Sequence, residues 1–277
     1  CIGVYYNPLY TGETKNIAVT ENADWLAKQN FVSDYAKTIV QLSEDGKIVQ
    51  LADHEHQPDE ETGKCSCGET FVAKLEPLVG SASYTKDFAG AMSNAQGKTK
   101  ITLLTDVDNS GKYATLTGDD TTVTLDLNDH TINGGWITLG DDVLQYFTSS
   151  ALKITGRGGF VTGSGNLTVN PGCSLDLSEW AGGTITRITI YDSAAGSDAL
   201  RKMTSLTVGE SAGTIVELRL SSWQLGPADT ANAINLSGGS YETIYIGGSM
   251  QDQIALGLLL APGYAFQYVG TGDFVKY

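Results

Sequence analysis

Three segments in the second half of the chain repeat one pattern, a turn of small residues followed by alternating apolar positions. They are GGTITRITI at 182–190, AGTIVELRL at 212–220 and GGSYETIYI at 238–246, and the short runs NLTV and SLTV precede the first two. Internal repetition of short strands between Gly, Ser and Asn turns is typical of a solenoid. The pattern therefore predicts a mainly β fold, a parallel β-helix whose inward-facing residues stack from coil to coil. A β-sandwich also contains many short strands and is the alternative.

The chain divides into three regions by pattern. Residues 1–51 are predicted to form a small β segment, because KTIVQLSEDGKIVQL holds two β-rich runs around Asp-Gly and indicates a hairpin. Residues 52–76 are a polar linker with histidines and cysteines. Residues 77–277 are the predicted β-helix domain, which opens with Phe88, Met92 and Ala95 at helical spacing. We expect this short helix to cap the N-terminal end of the β-helix.

The charge of the chain argues against two classes of partner. Its 17 basic and 32 acidic residues give a net charge of −15, which repels nucleic-acid backbones and anionic membrane surfaces. The sequence has no apolar run of about 18 residues, so we expect no direct membrane insertion. It begins at Cys1 without an initiator methionine, and we expect it to be part of a longer protein.

The linker contains a candidate metal site. His54, His56, Cys65 and Cys67 supply two imidazoles and two thiols within one short segment, and zinc prefers these ligands in closed tetrahedral sites. One structural zinc is therefore the predicted cofactor. A disulfide is an alternative in an exported protein, and free thiols beside solvated histidines are another. A catalytic metal is not expected, because all four ligands would be used and no general base lies alongside.

No catalytic set is visible in the predicted β-helix. Glycoside hydrolysis needs two carboxyl groups on either side of the sugar. Acidic residues are available, but β-helix hydrolases of the polygalacturonase type combine them with Gly-His-Gly and Arg-Ile-Lys, which this sequence lacks. The chain is therefore predicted not to be an enzyme. A carbohydrate-active lyase or glycoside hydrolase of the β-helix type is the alternative.

Five aromatic residues are candidate binding residues: Trp136, Trp180, Trp223, Tyr241 and Tyr245. Two of the tryptophans stand among polar turn residues, in SEWAGG and SSWQLG. Exposed aromatic rings on the face of a solenoid are suited to recognition of carbohydrate or protein. Alternatively, the rings plug coil ends or pack beneath loops.

The segment TVTLDLNDHTINGG at 122–135 resembles a coil of right-handed parallel β-helix domains found in large surface proteins of Gram-positive, often gut-dwelling, bacteria. FAGAMSNAQGKTKITLLTDV is similar to the helix and first strand of those domains, and LLLAPGYAFQY resembles their closing phrase. HEHQPDEETGKCSCG resembles the linker that precedes such domains in tandem arrays. Asp129 stands where the family more often has glycine. Residues 1–51 would then be the tail of a preceding repeat.

The resemblance implies a secreted or cell-wall-anchored, extracellular protein. Within it the chain would be a non-catalytic binding or spacer repeat beside neighbouring repeats of the same chain. Its expected partner is a host extracellular protein, such as immunoglobulin or mucin, or a glycan. A purely structural stalk repeat, without a ligand, is a further alternative.

Overall fold

The computed structural model describes residues 31–32, 39–42, 48–50, 56–65, 69–140, 149–161, 166–191, 204–223, 234–248, 260 and 263. The backbone alone is described at 31–32, 39–42, 48–50, 161, 166, 221–223 and 246–248. The chain divides into two compact units, Cys1–Phe71 and Val72–Tyr277. Residues 72–76, which the sequence pattern assigns to the linker, belong to the second unit because strand β4 (Ala73–Pro77) pairs within its sheet.

The first unit contains a three-stranded antiparallel sheet in the order β1–β2–β3, with β1 at Phe31–Val32, β2 at Ile39–Leu42 and β3 at Ile48–Gln50. Val40 pairs with Gln50, and Leu42 pairs with Ile48. This antiparallel register confirms the predicted hairpin and the predicted small N-terminal β segment.

The second unit is built on a stack of six parallel strands, called here the first stack. Its members are β6 (Lys98–Leu103), β9 (Thr122–Asp126), β12 (Ala151–Gly156), β15 (Ser174–Trp180), β17 (Ser205–Val208) and β19 (Ile234–Leu236). Each strand pairs in parallel with the strand one coil earlier or later. This topology confirms the parallel β-helix, since β-sandwiches are built from antiparallel sheets.

Two further stacks complete the coils. The second stack has β7 (Val107–Asp108), β10 (Thr131–Asn133) and β13 (Gly159–Val161), and the third has β8 (Tyr113–Leu116), β11 (Trp136–Leu139) and β14 (Asn166–Val169). After these early coils, the strands β16 (Thr184–Tyr191), β18 (Thr214–Trp223) and β20 (Ser240–Gly248) each cross both stacks. β16, for example, pairs with β13 through Ile185 and with β14 through Ile188. We call the coils from β15 to β20 the late coils.

The three sequence repeats are the three long strands. Thr184 pairs with Thr214, and Thr214 pairs with Ser240, so the repeats stack in the register in which the sequence aligns them. Their apolar alternation is broken between Ile185 and Ile188, which are both buried. The cause is that β16 turns from the second stack to the third at this point.

Inward-facing side chains form columns that run through the coils. One column of the first stack consists of Val123, Leu152, Leu175, Leu206 and Ile234, all of them buried. Burying an aliphatic side chain of this size stabilises a fold by about 1.5–3 kcal/mol. The columns therefore fix which residues face outward, and this determines the candidate site.

The N-terminal end of the β-helix is covered by three elements. β4 pairs antiparallel with β6, and β5 (Ser83–Thr85) pairs antiparallel with β4. Helix α1 (Phe88–Ser93) buries Phe88 and Met92 in the core, and the Ser93 hydroxyl accepts a hydrogen bond from the Thr115 amide of β8 at 2.9 Å. The predicted capping helix is confirmed. The helix covers the edge of strand β8, which would otherwise be open to pairing with another strand.

Candidate functional site

The outer face of the third stack carries two rows of side chains that run from coil to coil. The first row passes through Tyr113, Trp136, the position of Asn166, Arg187, Glu217 and Thr243. The second row passes through Thr115, Thr138, Thr168, Thr189, Arg219 and Tyr245. Outward residues alternate with buried ones along each strand, as in any strand with one buried face, except that Thr189 of β16 is itself buried. We call these two rows the third-stack surface.

The N-terminal end of this surface is aromatic. The rings of Tyr113 and Trp136 stack with their centroids 4.5 Å apart and an interplanar angle of 10°. Tyr113 is 66% exposed, which is unusual for a large apolar side chain, and Trp136 is half-buried beside it. Beside the stacked pair lie the half-buried Thr115 and Thr138. This end therefore presents a rigid apolar group next to hydroxyls.

The C-terminal end of the surface is charged. The Glu217 carboxylate accepts a hydrogen bond from Nε of Arg187 at 2.7 Å and another from Nε of Arg219. The Arg219 guanidinium lies 5.8 Å from the ring centroid of Tyr245, a cation–π distance. Burial by itself raises the pKa of Glu217, but the hydrogen bonds from Arg219 and Arg187 outweigh it and lower that pKa. The Glu217 carboxylate is therefore ionised and bonded to two guanidiniums, and it is unsuited to act as a general acid.

The five predicted aromatic residues divide between surface and core. Trp136 and the 54% exposed Tyr245 lie on the third-stack surface. The expectation for Trp180 is wrong, because its side chain is fully buried and its indole Nε1 donates to the Gly158 carbonyl at 2.9 Å. Tyr241 packs against the core, and burial raises the pKa of its hydroxyl. The side chain of Trp223 lies outside the described residues.

Four residues of the site were not singled out from the sequence: Tyr113, Arg187, Glu217 and Arg219. The signal for three of them was present in the repeats. Aligning GGTITRITI with AGTIVELRL places Arg187 opposite Glu217 and Thr189 opposite Arg219, which is the observed register. Tyr113 gave no such signal, because its strand lies outside the aligned repeats.

The predicted metal ligands are only partly described. His56 packs on Phe71, with ring centroids 4.8 Å apart, and its Nε2 lies 3.3 Å from the Glu69 carboxylate. Cys65 is buried, and its amide donates to the Glu69 carbonyl at 2.8 Å. His54 and Cys67 lie outside the described residues. Among those that are described, no three His, Cys, Asp or Glu residues are grouped to hold a metal, and the zinc stays a prediction.

Acidic and basic residues pair on the outer face of the first stack. Lys100 contacts Asp126 at 3.0 Å, and Lys153 contacts Glu179 at 2.5 Å. The hydrogen bond to Glu179 raises the pKa of Lys153, so this amine is protonated at neutral pH and cannot serve as a base. The arrangement is that of surface ion pairs.

No family model, no curated protein and no solved structure matches this chain. Within the described residues, no helix has the length and apolar character needed to cross a membrane. The observations that bear on function are therefore the parallel β-helix and the side chains on its surface.

Proposed function

We propose that the chain is a non-catalytic binding repeat of a secreted or cell-wall-anchored surface protein, and that its third-stack surface binds an extended host glycan. The observation that carries the proposal is the continuity of this surface. Aromatic, hydroxyl and guanidinium groups are held in register along strands of successive coils.

The dimensions suit a chain-like ligand. From β8 to β20 the surface crosses five inter-strand steps of about 4.8 Å, or about 24 Å in all. A binding strip that is long in one direction and narrow in the other matches an oligosaccharide better than a compact ligand. A protein partner would need about 800 Å² on each side, with apolar anchors near the centre, whereas Thr168 and Thr189 stand on the two middle strands here.

The chemistry also suits a sugar. Each threonine hydroxyl can donate one hydrogen bond and accept others, and a β-branched side chain on a strand has little rotamer freedom left to lose on binding. The exposed Tyr113 ring adds an apolar face and a hydroxyl at one end. These groups recognise hydroxyl-rich ligands without supplying an acid, a base and a nucleophile together.

The test is binding of the whole chain to an immobilised panel of host oligosaccharides, with mucin and immunoglobulin as further probes. Combined Thr115→Val, Thr138→Val and Thr168→Val substitutions remove three hydroxyls from the third-stack surface with little change in shape. We expect at least a tenfold loss of glycan affinity, because each lost hydrogen bond costs about 1 kcal/mol.

The matched control is the combination Thr124→Val, Thr155→Val and Thr207→Val, which removes outward hydroxyls from the first stack. We expect this variant to bind as the parent does. Equal losses in the two variants would contradict the assignment of the surface. Binding to immunoglobulin without glycan binding would show that the ligand is a protein and not a glycan. No binding at all would favour a spacer or stalk repeat.

A structural zinc held by His54, His56, Cys65 and Cys67 is the second part of the proposal, as a clamp within the first unit. His56 and Cys65 both contact Glu69, which supports their proximity. Native and denaturing mass spectrometry, zinc quantification and thiol counting test this point. One zinc per chain, lost on denaturation, is expected, and a deficit of two thiol protons without zinc would establish a disulfide instead.

A further inference from the structure

The charge at the C-terminal end of the third-stack surface is opposite to that of the chain as a whole. The sequence has four arginines, Arg157, Arg187, Arg201 and Arg219, against a net charge of −15. Two of the four meet at one carboxylate, that of Glu217. The two guanidiniums and the Glu217 carboxylate together carry one positive charge in excess.

The two guanidiniums are oriented before any ligand arrives. Arg187 and Arg219 each donate Nε to a different oxygen of Glu217, so the carboxylate holds both. A guanidinium has five N–H donors, and the Nε bond to Glu217 is the one hydrogen bond of Arg219 with a partner in the described part of the chain. Its side chain is 45% exposed, so the Nη donors can reach a ligand.

Tyr245 extends this cluster along the second row. It stands directly opposite Arg219 on the neighbouring strand, and the residue is 54% exposed. An aromatic face beside an oriented guanidinium can contact the ring of a sugar and its charged substituent together. Carboxylates and tetrahedral oxyanions can bind guanidinium through two parallel hydrogen bonds, which a lysine ammonium cannot reproduce.

We infer that the C-terminal end of the third-stack surface is a subsite for an anionic sugar, with Arg219 binding its carboxylate or sulfate and Tyr245 contacting its ring. Glu217 acts as the positioning residue, since it holds the Arg219 guanidinium, and Arg187 bonds the other oxygen of the same carboxylate. This inference rests on the proposed glycan-binding function and adds the charge of the ligand to it.

The experiment compares one oligosaccharide backbone in three forms: neutral, ending in a carboxylate-bearing sugar, and carrying a sulfate ester. Affinities are measured for the whole chain and for Arg219→Gln, Arg219→Lys and Arg157→Gln. Arg157 is the matched control, because its side chain is 75% exposed and it contacts Asp129 away from the third-stack surface. Thermal unfolding of each variant shows that the fold is retained.

We expect the parent to bind an anionic form at least tenfold more tightly than the neutral form, and this preference to weaken as salt rises from about 0.05 M to about 0.5 M. Arg219→Gln should bind the anionic and neutral forms equally, with its affinity for the neutral form unchanged. Arg219→Lys should keep part of the preference for the anionic form. Arg157→Gln should leave it intact. Comparing the carboxylate and sulfate forms identifies which oxyanion the subsite accepts.

Two results would overturn the inference and leave the proposed function standing. One is equal binding of neutral and anionic forms by the parent, and the other is an anion preference that survives Arg219→Gln. If no form of the glycan binds, the proposed function fails and the inference fails with it. If Arg219→Gln does not fold, Arg219→Lys decides, because an undiminished preference would show that guanidinium geometry has no role.

Discussion

The early and late coils differ in how the chain passes from the second stack to the third. In β10–β11 the chain steps from the second stack to the third through Gly134 and Gly135, at φ of 75° and 74°. In β16 the same step is made within one strand by Thr186 and Arg187. The two glycines of the early corner have no counterpart in β16, where Arg187 directly follows Thr186. The charged cluster of Arg187, Glu217 and Arg219 lies beside this continuous corner, at the row positions that Trp136 and Thr138 occupy in the early coils.

The largest expected effect concerns the glycine corner itself. A Cβ atom on Gly135 would lie 2.2 Å from the Asn109 carbonyl oxygen and 2.7 Å from that of Lys112, both of them backbone atoms. We expect Gly135→Ala to lower the free energy of unfolding by about 3 kcal/mol, from left-handed strain and the clash together. Urea or thermal unfolding measures it.

The matched control is Gly111→Ala, in the equivalent corner one coil earlier. Gly111 has a φ of 71° but no heavy atom within 4 Å of its added Cβ. The free energy of unfolding of Gly111→Ala should fall by only about 1 kcal/mol, because this variant has the backbone strain without the clash. If both variants lost the same stability, close approach between coils would not be the reason for glycine at this corner.

An intermediate effect is expected at the charged corner of the late coils. Glu217→Gln removes the carboxylate that holds two guanidiniums, and we expect a loss of about 1 kcal/mol at pH 7, since both arginines are partly exposed. The folded state lowers the pKa of Glu217, so the contribution is present above the unfolded pKa of about 4.3. It disappears as pH falls through the lower folded pKa.

Denaturant unfolding of the parent and of Glu217→Gln at neutral pH and at about pH 3 checks this dependence. Glu179→Gln is the control, because Glu179 is 63% exposed and pairs with one lysine. Its effect should be close to zero at both pH values. A difference between the parent and Glu217→Gln that stays constant with pH would contradict the ionic origin of the effect.

The smallest expected effect lies at the corner that follows β9. Asn128 and Asp129 both have positive φ, 47° and 63°. Asp129→Gly should raise the free energy of unfolding by about 0.5 kcal/mol, because glycine adopts this conformation without a Cβ penalty. Asn128→Gly should instead lower it, since the Asn128 amide donates to the Leu103 carbonyl at 2.9 Å. Effects of the same sign in both variants would contradict this distinction.

The strand register of the late coils could be predicted from the repeats, because residues that align between two repeats also pair between the two neighbouring strands. The same alignment contains the Arg187–Glu217 pair. The stacked pair of Tyr113 and Trp136 is different. The register of this pair depends on the total number of residues in the strands β9 and β10 and in the corners around them, which the local pattern does not define.

The prediction that Trp180 is exposed was wrong because strand β15 is irregular just before this residue. Ser178 and Glu179 are both exposed although they are consecutive, and the pairing of β12 with β15 shifts between Lys153 and Thr155. This irregularity reverses which face the following residue occupies, so Trp180 turns inward. Polar neighbours in sequence therefore indicated an exposed ring where the backbone places a buried one.

The cover on the N-terminal end also has a consequence for assembly between molecules. A column of parallel strands is a template on which another copy can add its own strands and grow into a fibre. Beyond β6 the pairing becomes antiparallel through β4 and the three-residue β5, so the first stack does not end in an open strand of a further parallel coil. In the third stack the Ser93 hydroxyl already occupies an amide of β8. Growth from this end in continuation of the β-helix is thereby blocked.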